Sequence, residues 1–206
     1  MNASVLREDV TRAHLGADLI CPIRLLHHQS QAQLTGIVDY NRISLGKPTD
    51  VINMDEASII TEEIRKMIGV ESKPCVYEIE KGDIKRFAQC IEDPNPLWQD
   101  EKYAKRSRYG SIIAPPMFLA ALFNWEFVDS VLGAECPMRR MMNASNKVEF
   151  FHPIMSGDVI STTGKLLNVH LRDGKLGKSL YLNWQLTYTN QKDQVVATLR
   201  QLIIKY

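Results

Sequence analysis

The sequence predicts an α+β domain, in which one enclosed apolar helix lies against a curved antiparallel sheet. Three observations carry this. Between Met117 and Leu132, twelve of sixteen residues are apolar, and Pro115-Pro116 stand at the start. After Asn143 the apolar residues recur at every second position. Short polar turns then separate the alternating runs, as consecutive antiparallel strands require.

Residues 1–57 show no sustained period. They read as a weakly ordered extension, with one short helix near Val5–Leu15. His27-His28 lacks a third ligand, so surface histidines are expected there rather than a metal site. Met54 precedes the first well-patterned segment and is an alternative start for the natural chain. The domain is expected to span 58–206. Thr61-Glu62-Glu63 before Ile64, Met67 and Ile68 reads as a capped short helix that Gly69 stops. Val76–Ile79 reads as a strand. From Asp83, the spacing of Ile84, Phe87, Ala88 and Ile91 gives a helix with one apolar face, which Pro94 and Pro96 end. Residues 100–108 form a short polar helix or turn.

Two prolines suit the first turn of a helix, where a missing N–H costs least. The helix from 115 to 132 is expected to be about 24 Å long at 1.5 Å per residue. Glu126, Asp129 and Ser130 share one narrow side of it, so most of its surface is enclosed. Asn124 falls within the apolar surface, as a core amide or a ligand contact. Beyond it, Val148 and Phe150 alternate with polar neighbours. A turn at Ser156-Gly157-Asp158 leads to a strand whose apolar set is Leu167, Val169 and Leu171. Asp173-Gly174 turns into the run Leu180, Leu182, Trp184, Leu186, Tyr188, and a last strand covers Val195–Tyr206.

The bulk properties narrow the function. A net charge of +1 gives no whole-chain attraction to nucleic acid or anionic membrane. No apolar run reaches the length of a membrane span. No basic segment leads an apolar one at the N-terminus, so secretion is not expected. Cys21, Cys75, Cys90 and Cys136 are scattered, which predicts reduced thiols, a cytoplasmic protein and no structural metal.

The stretch from Ile91 to Phe118, IEDPNPLWQDEKYAKRSRYGSIIAPPMF, places a carboxylate in a proline-bracketed turn just before the mouth of the helix. With the EFFHPIMSGDVI segment and the order of elements, it resembles the MaoC-like enoyl-thioester hydratases and dehydratases, which have the hot-dog fold. More closely, residues 60–206 resemble the N-terminal MaoC-like (fatty-acid-synthase-like) dehydratases. The resemblance implies reversible hydration of a 2-enoyl thioester, or dehydration of a 3-hydroxyacyl thioester, carried on coenzyme A or an acyl carrier protein. It implies no metal and no redox cofactor.

Such chemistry needs a base for water, an acid for the alpha carbon, and donors for the enolate oxygen. The resemblance implies an Asp–His pair: Asp in a GDxNP turn, His five residues on, and a backbone N–H at the start of the helix. Here Asp93, Asn95 and Pro96 match. Glu92 stands for the Gly, Trp98 for the His, and Pro116 for the helix-mouth Gly. An indole only donates a hydrogen bond, and proline has no N–H. Asp93 is therefore the catalytic candidate, or the residue that stabilises the turn. Asn95, Trp98, Tyr109, Ala114, Met117 and Asn124 are the substrate-binding candidates. Trp98, Tyr103 and Tyr109 equally suit the core. His152 and His170 are minor catalytic candidates. Lys102, Lys105, Arg106 and Arg108 suit coenzyme A phosphates or a solvated face, as do Arg139-Arg140.

Two readings follow. In the first, the chain is a hydratase or dehydratase acting through Asp93. In the second, it is a degenerate acyl-CoA-binding subunit whose partner supplies the Asp–His pair. Exposed sheet edges predict a homodimer, or a heterodimer with another MaoC-like chain.

Overall fold

The computed structural model of the protein describes residues 56–134, 136–174 and 177–206. Apart from Glu56 and Ala57, the expected extension at 1–57, with its Val5–Leu15 helix, His27-His28 and Met54, lies outside the described residues.

Two short helices lead in, α1 (Glu56–Ile59) and α2 (Glu62–Met67). Thr61 caps α2 as its sequence signature requires: its hydroxyl accepts from the Ile64 N–H at 3.4 Å. Gly69, at φ +79°, then turns the chain. Strand β1 (Cys75–Glu78) is followed by α3 (Lys81–Cys90), which buries Ile84, Phe87 and Ala88. Two short helices, α4 (Pro96–Gln99) and α5 (Glu101–Arg106), come next. Four long strands close the chain: β2 (Met141–Phe150), β3 (Val159–Gly174), β4 (Gly177–Thr189) and β5 (Val195–Lys205).

All pairings in the sheet are antiparallel, and the order is β1-β3-β4-β5-β2. The expected fold class is the observed one. Leu180, Leu182, Trp184, Leu186 and Tyr188 of β4 form the buried row at the centre of the inner face. In β3 the buried row differs from the alternation read off the sequence. Leu166, not Leu167, is fully buried, and Val169 and Leu171 continue its row. The cause is a β-bulge: Leu166 pairs with Trp184 and Asn168 with Asn183, so Leu167 is an extra residue that shifts the facing by one.

The helix expected over 115–132 is two pieces. Pro116–Ala121 forms a 3-10 helix, and α6 runs from Trp125 to Gly133. Side chains capture the backbone between them. Thr162 Oγ1 donates to Leu122 O at 3.0 Å, and the Tyr77 hydroxyl donates to Phe123 O. Asn124 Oδ1 caps α6 by accepting from the Phe127 N–H at 3.1 Å. Carbonyls satisfied from outside no longer need helical partners. Both pieces still turn apolar residues (Phe118, Leu119, Phe127, Val128, Val131) toward the sheet, so the apolar pattern runs unbroken through the interruption. Phe87 of α3 meets Phe118 edge to face at 5.4 Å between ring centres. At the other end of α6, Lys205 donates from Nζ to Leu132 O at 2.7 Å, placing a cation where the helix dipole favours one.

The two sheet edges are unequal. β1 offers only four residues. β2 is ten residues long and exposed over most of its length, with Met141 and Met142 uncovered and Phe150 and Phe151 exposed at its end.

Candidate active site

The turn between α3 and α4 is built from its own backbone upward. At the end of α3, the Glu92 N–H bonds to Gln89 O at 3.2 Å, and the Asp93 N–H to Ala88 O at 2.9 Å. This pair of hydrogen bonds is a Schellman-type stop, which puts its central residue in the left-handed region. That residue is Glu92, at φ +54°. The glycine that the resemblance leads one to expect here thus has a backbone reason. Replacing Glu92 by Gly is expected to stabilise the domain by about 1 kcal/mol, since the side chain strains this conformation. A denaturant titration checks this, and a destabilised variant would overturn it.

Asp93 follows, half-buried. Its Oδ1 accepts from the Asn95 N–H at 3.0 Å, and its Oδ2 from Trp98 Nε1–H at 2.9 Å. Its carbonyl accepts from Gln99 Nε2 at 2.8 Å. Asn95 caps α4, its Oδ1 accepting from the Leu97 N–H at 3.0 Å. The buried indole of Trp98 therefore closes the ring of contacts in the turn. Both carboxylate oxygens hold donors, and the donor opposite Oδ2 has no lone pair with which to take a proton.

Backbone bonds carry this turn to the mouth of the 3-10 helix. Leu97 O accepts from the Ile113 N–H at 3.4 Å, and the Ala114 N–H donates to Ile154 O at 2.8 Å. The Ala114 amide is thus committed to the fold. Pro115 and Pro116 carry no N–H, and the Phe118 N–H bonds to Pro115 O at 2.9 Å. Met117 has the one uncommitted amide in the segment 114–118, and its side chain is 59% exposed. A thioester carbonyl at this mouth has that single donor to meet.

The other candidates divide. Tyr109 packs against the core while its hydroxyl accepts from Arg108, whose guanidinium also stacks over the ring at 4.8 Å. Asn124 is spent on the fold. It is 2% exposed, and besides its cap its Nδ2 faces Lys73 O at 2.8 Å, Thr162 O at 2.9 Å and Ser72 Oγ at 3.2 Å, which leaves nothing for a ligand. His152 is exposed just beyond β2, two residues from the Ile154 carbonyl that holds Ala114. His170 lies on β3 and stacks on Tyr181 of β4 at 4.9 Å, away from the turn. Tyr77 was not singled out from the sequence, yet its hydroxyl braces the helix break. Burial and the neighbouring Cys75 raise its pKa far above that of a free phenol, so it stays a donor. No cluster of three or more metal-ligating side chains occurs among the described residues.

Residues 66–199 match the family model described as the FAS1-like dehydratase domain region. The chain belongs to this family. A UPF0336 protein of Thermobifida fusca is 27% identical to it over 139 residues, which make up 64% of this chain and 86% of the relative. A 3-hydroxybutyryl-CoA dehydratase of Methylorubrum extorquens is 30% identical over 83 residues, 40% of this chain and 50% of that enzyme. Among solved structures, the ChsH1–ChsH2 complex of Mycobacterium tuberculosis superposes with a TM-score of 0.61 at 18% identity, over 71% of this chain and 95% of the other. This dehydratase-region chain is thus a MaoC-like hot-dog protein, with the turn of Asp93 at the helix mouth and a tryptophan bonded to its carboxylate.

Proposed function

We propose that this chain is the acyl-thioester-binding, catalytically silent half of a heteromeric MaoC-like hydratase or dehydratase. One observation carries the reading: Trp98 Nε1–H donates to Asp93 Oδ2, in the place where hydration needs a proton acceptor. Geometry for binding remains. The Met117 amide is uncommitted at the mouth, three residues after Ala114, and the backbone bond from the Ile113 N–H to Leu97 O ties this segment to the Asp93 turn. A sister chain with an intact Asp–His pair would supply the acid and base. The free edge of β2 and the exposed Phe150 and Phe151 at its end give such a chain a place to pair. The substrate would be a 2-enoyl or 3-hydroxyacyl thioester, no metal or redox group would take part, and the assembly would work in the cytoplasm. Among the described residues no helix is long and apolar enough to cross a membrane.

A second reading rests on the partial exposure of Asp93, which leaves its carboxylate within reach of solvent. In it, Asp93 alone serves as acid and base. Hydration of crotonyl-CoA by the purified chain separates the two. The silent reading expects binding without turnover. It expects turnover when a MaoC-like subunit with the Asp–His pair is added, changed less than about threefold by Asp93→Asn in this chain, because the mutation then removes only a turn contact. Turnover by the chain alone that Asp93→Asn abolishes would establish the second reading and end the first.

A further inference from the structure

A pair of buried rings joins the two halves of the site from behind. Phe118 directly follows Met117, whose amide is the uncommitted donor at the mouth. Phe87 stands on α3 next to Ala88, whose carbonyl accepts from the Asp93 N–H at 2.9 Å. One ring is thus anchored beside the donor for a thioester carbonyl, and the other beside the carboxylate turn. The rings meet edge to face, with their planes at 85° and their centres 5.4 Å apart. Phe118 is 1% exposed and Phe87 6%.

Both rings are held in place. The Phe118 N–H is bonded to Pro115 O at 2.9 Å, and the next residue, Leu119, accepts at its carbonyl from the hydroxyl of Tyr188 at 3.5 Å. Tyr188 lies fully buried on β4, so the sheet backs this side of the pair. On α3, Ile84 and Ala88 are fully buried beside Phe87, and the Phe87 carbonyl accepts from the Ile91 N–H at 3.1 Å.

We infer that the Phe87–Phe118 pair is the floor of the acyl site and restricts it to short acyl groups, near the length of a crotonyl chain. The inference rests on the acyl-thioester reading above and adds the chain length to it. A thioester carbonyl bonded to the Met117 amide leaves its acyl chain to run inward from the mouth, between the 3-10 helix and α3. That is where the two rings touch. A longer tail would have to part a buried aromatic contact, and a close-packed interior yields poorly to added methylenes. An open acyl channel has a different signature, because an apolar tail that finds room gains about fourfold in affinity per methylene.

The test uses the full chain and two probes on the same carrier, crotonyl-CoA and trans-2-octenoyl-CoA. Calorimetry gives the ratio of their affinities. In the native chain octenoyl-CoA is expected to bind no more than about threefold tighter than crotonyl-CoA, where an open channel would give roughly 100-fold or more. Phe87→Ala is expected to shift the ratio toward octenoyl-CoA by roughly tenfold or more, because the lost ring leaves space for the tail. Phe87→Leu keeps more of the core and should shift it the same way by less, which decides the matter if the alanine variant does not fold. Circular dichroism checks each variant. Val131→Ala is the control: it truncates the core on α6, beyond the helix break, and should leave the ratio at its native value. A native affinity that climbs with chain length would overturn the inference. So would a ratio that neither Phe87 variant moves, or one that Val131→Ala moves as far, which would mark a general loosening of the core. In each of these cases crotonyl-CoA still binds and the acyl-thioester reading stands. Failure to bind either ester would end both.

Discussion

Gly164→Ala is expected to destabilise the domain by about 3 kcal/mol and to lower its Tm by roughly 10 °C. Gly164 sits in β3 opposite Leu186 of β4, directly under α6. A Cβ built there would stand 2.1 Å from the ring of Phe127. No side chain tolerates such an approach, and the ring is poorly placed to yield. Phe127 is 6% exposed, and its ring packs edge to face on Trp184 at 6.3 Å. Its backbone N–H is the one that Asn124 caps. Glycine in this strand is thus a matter of space, since the helix can lie this close to the sheet only where no Cβ intervenes. A chemical denaturation curve measures the loss. In Phe127→Leu the same glycine substitution should cost at least about 1 kcal/mol less, the coupling expected of residues in contact. Two additive mutations, or a Gly164→Ala variant as stable as the native chain, would show that α6 does not rest on β3 at this point.

This contact also marks what sequence reading reaches and what it misses. The strands of the second half were legible because one buried face imposes a period of two, and β4 keeps that period without interruption. The bulge at Leu167 was not, because an inserted residue leaves the run apolar and changes only which members point inward. The same holds for the helix. Apolar residues continue from Phe118 to Val131 because both pieces face the same sheet, so periodicity reports a single helix. The break is made by Tyr77, Thr162 and Asn124, and two of these lie on strands about 40 residues or more away in the chain. Only Asn124, a good cap just before Trp125-Glu126, carried a local hint. In the site the motif located the turn, and Glu92 in its left-handed conformation explains the motif's missing glycine. The commitment of the Ala114 amide to Ile154 was beyond reach, because it depends on the connection between β2 and β3, 40 residues downstream.

The second large effect is chemical. Trp98→His is expected to raise crotonyl-CoA hydration by the purified chain at least about 100-fold over its background, within the range that a positioned acid–base residue supplies. The indole already shows that a ring at position 98 reaches Asp93 Oδ2, at 2.9 Å from its nitrogen. An imidazole making the same bond with one N–H keeps its second nitrogen free to accept a proton, which indole cannot do. Asp93 then orients the base instead of anchoring a silent ring. The active form is the neutral imidazole, so the rate should rise with pH through a midpoint above the ordinary histidine value, because the Asp93 carboxylate favours the imidazolium. The smaller ring leaves space where a buried indole stood, and a loss of about 2 kcal/mol in stability is expected alongside. Asp93→Asn in the Trp98→His background should remove most of the gain, because the amide no longer fixes the ring as the carboxylate does. The oxyanion side is the remaining limit: Met117 offers one amide, and Pro116 none. Adding Pro116→Gly should therefore raise kcat further, by roughly 10-fold or more for a restored donor. A Trp98→His chain that stays folded, binds crotonyl-CoA and does not hydrate it would show that the tryptophan is not what silences this site.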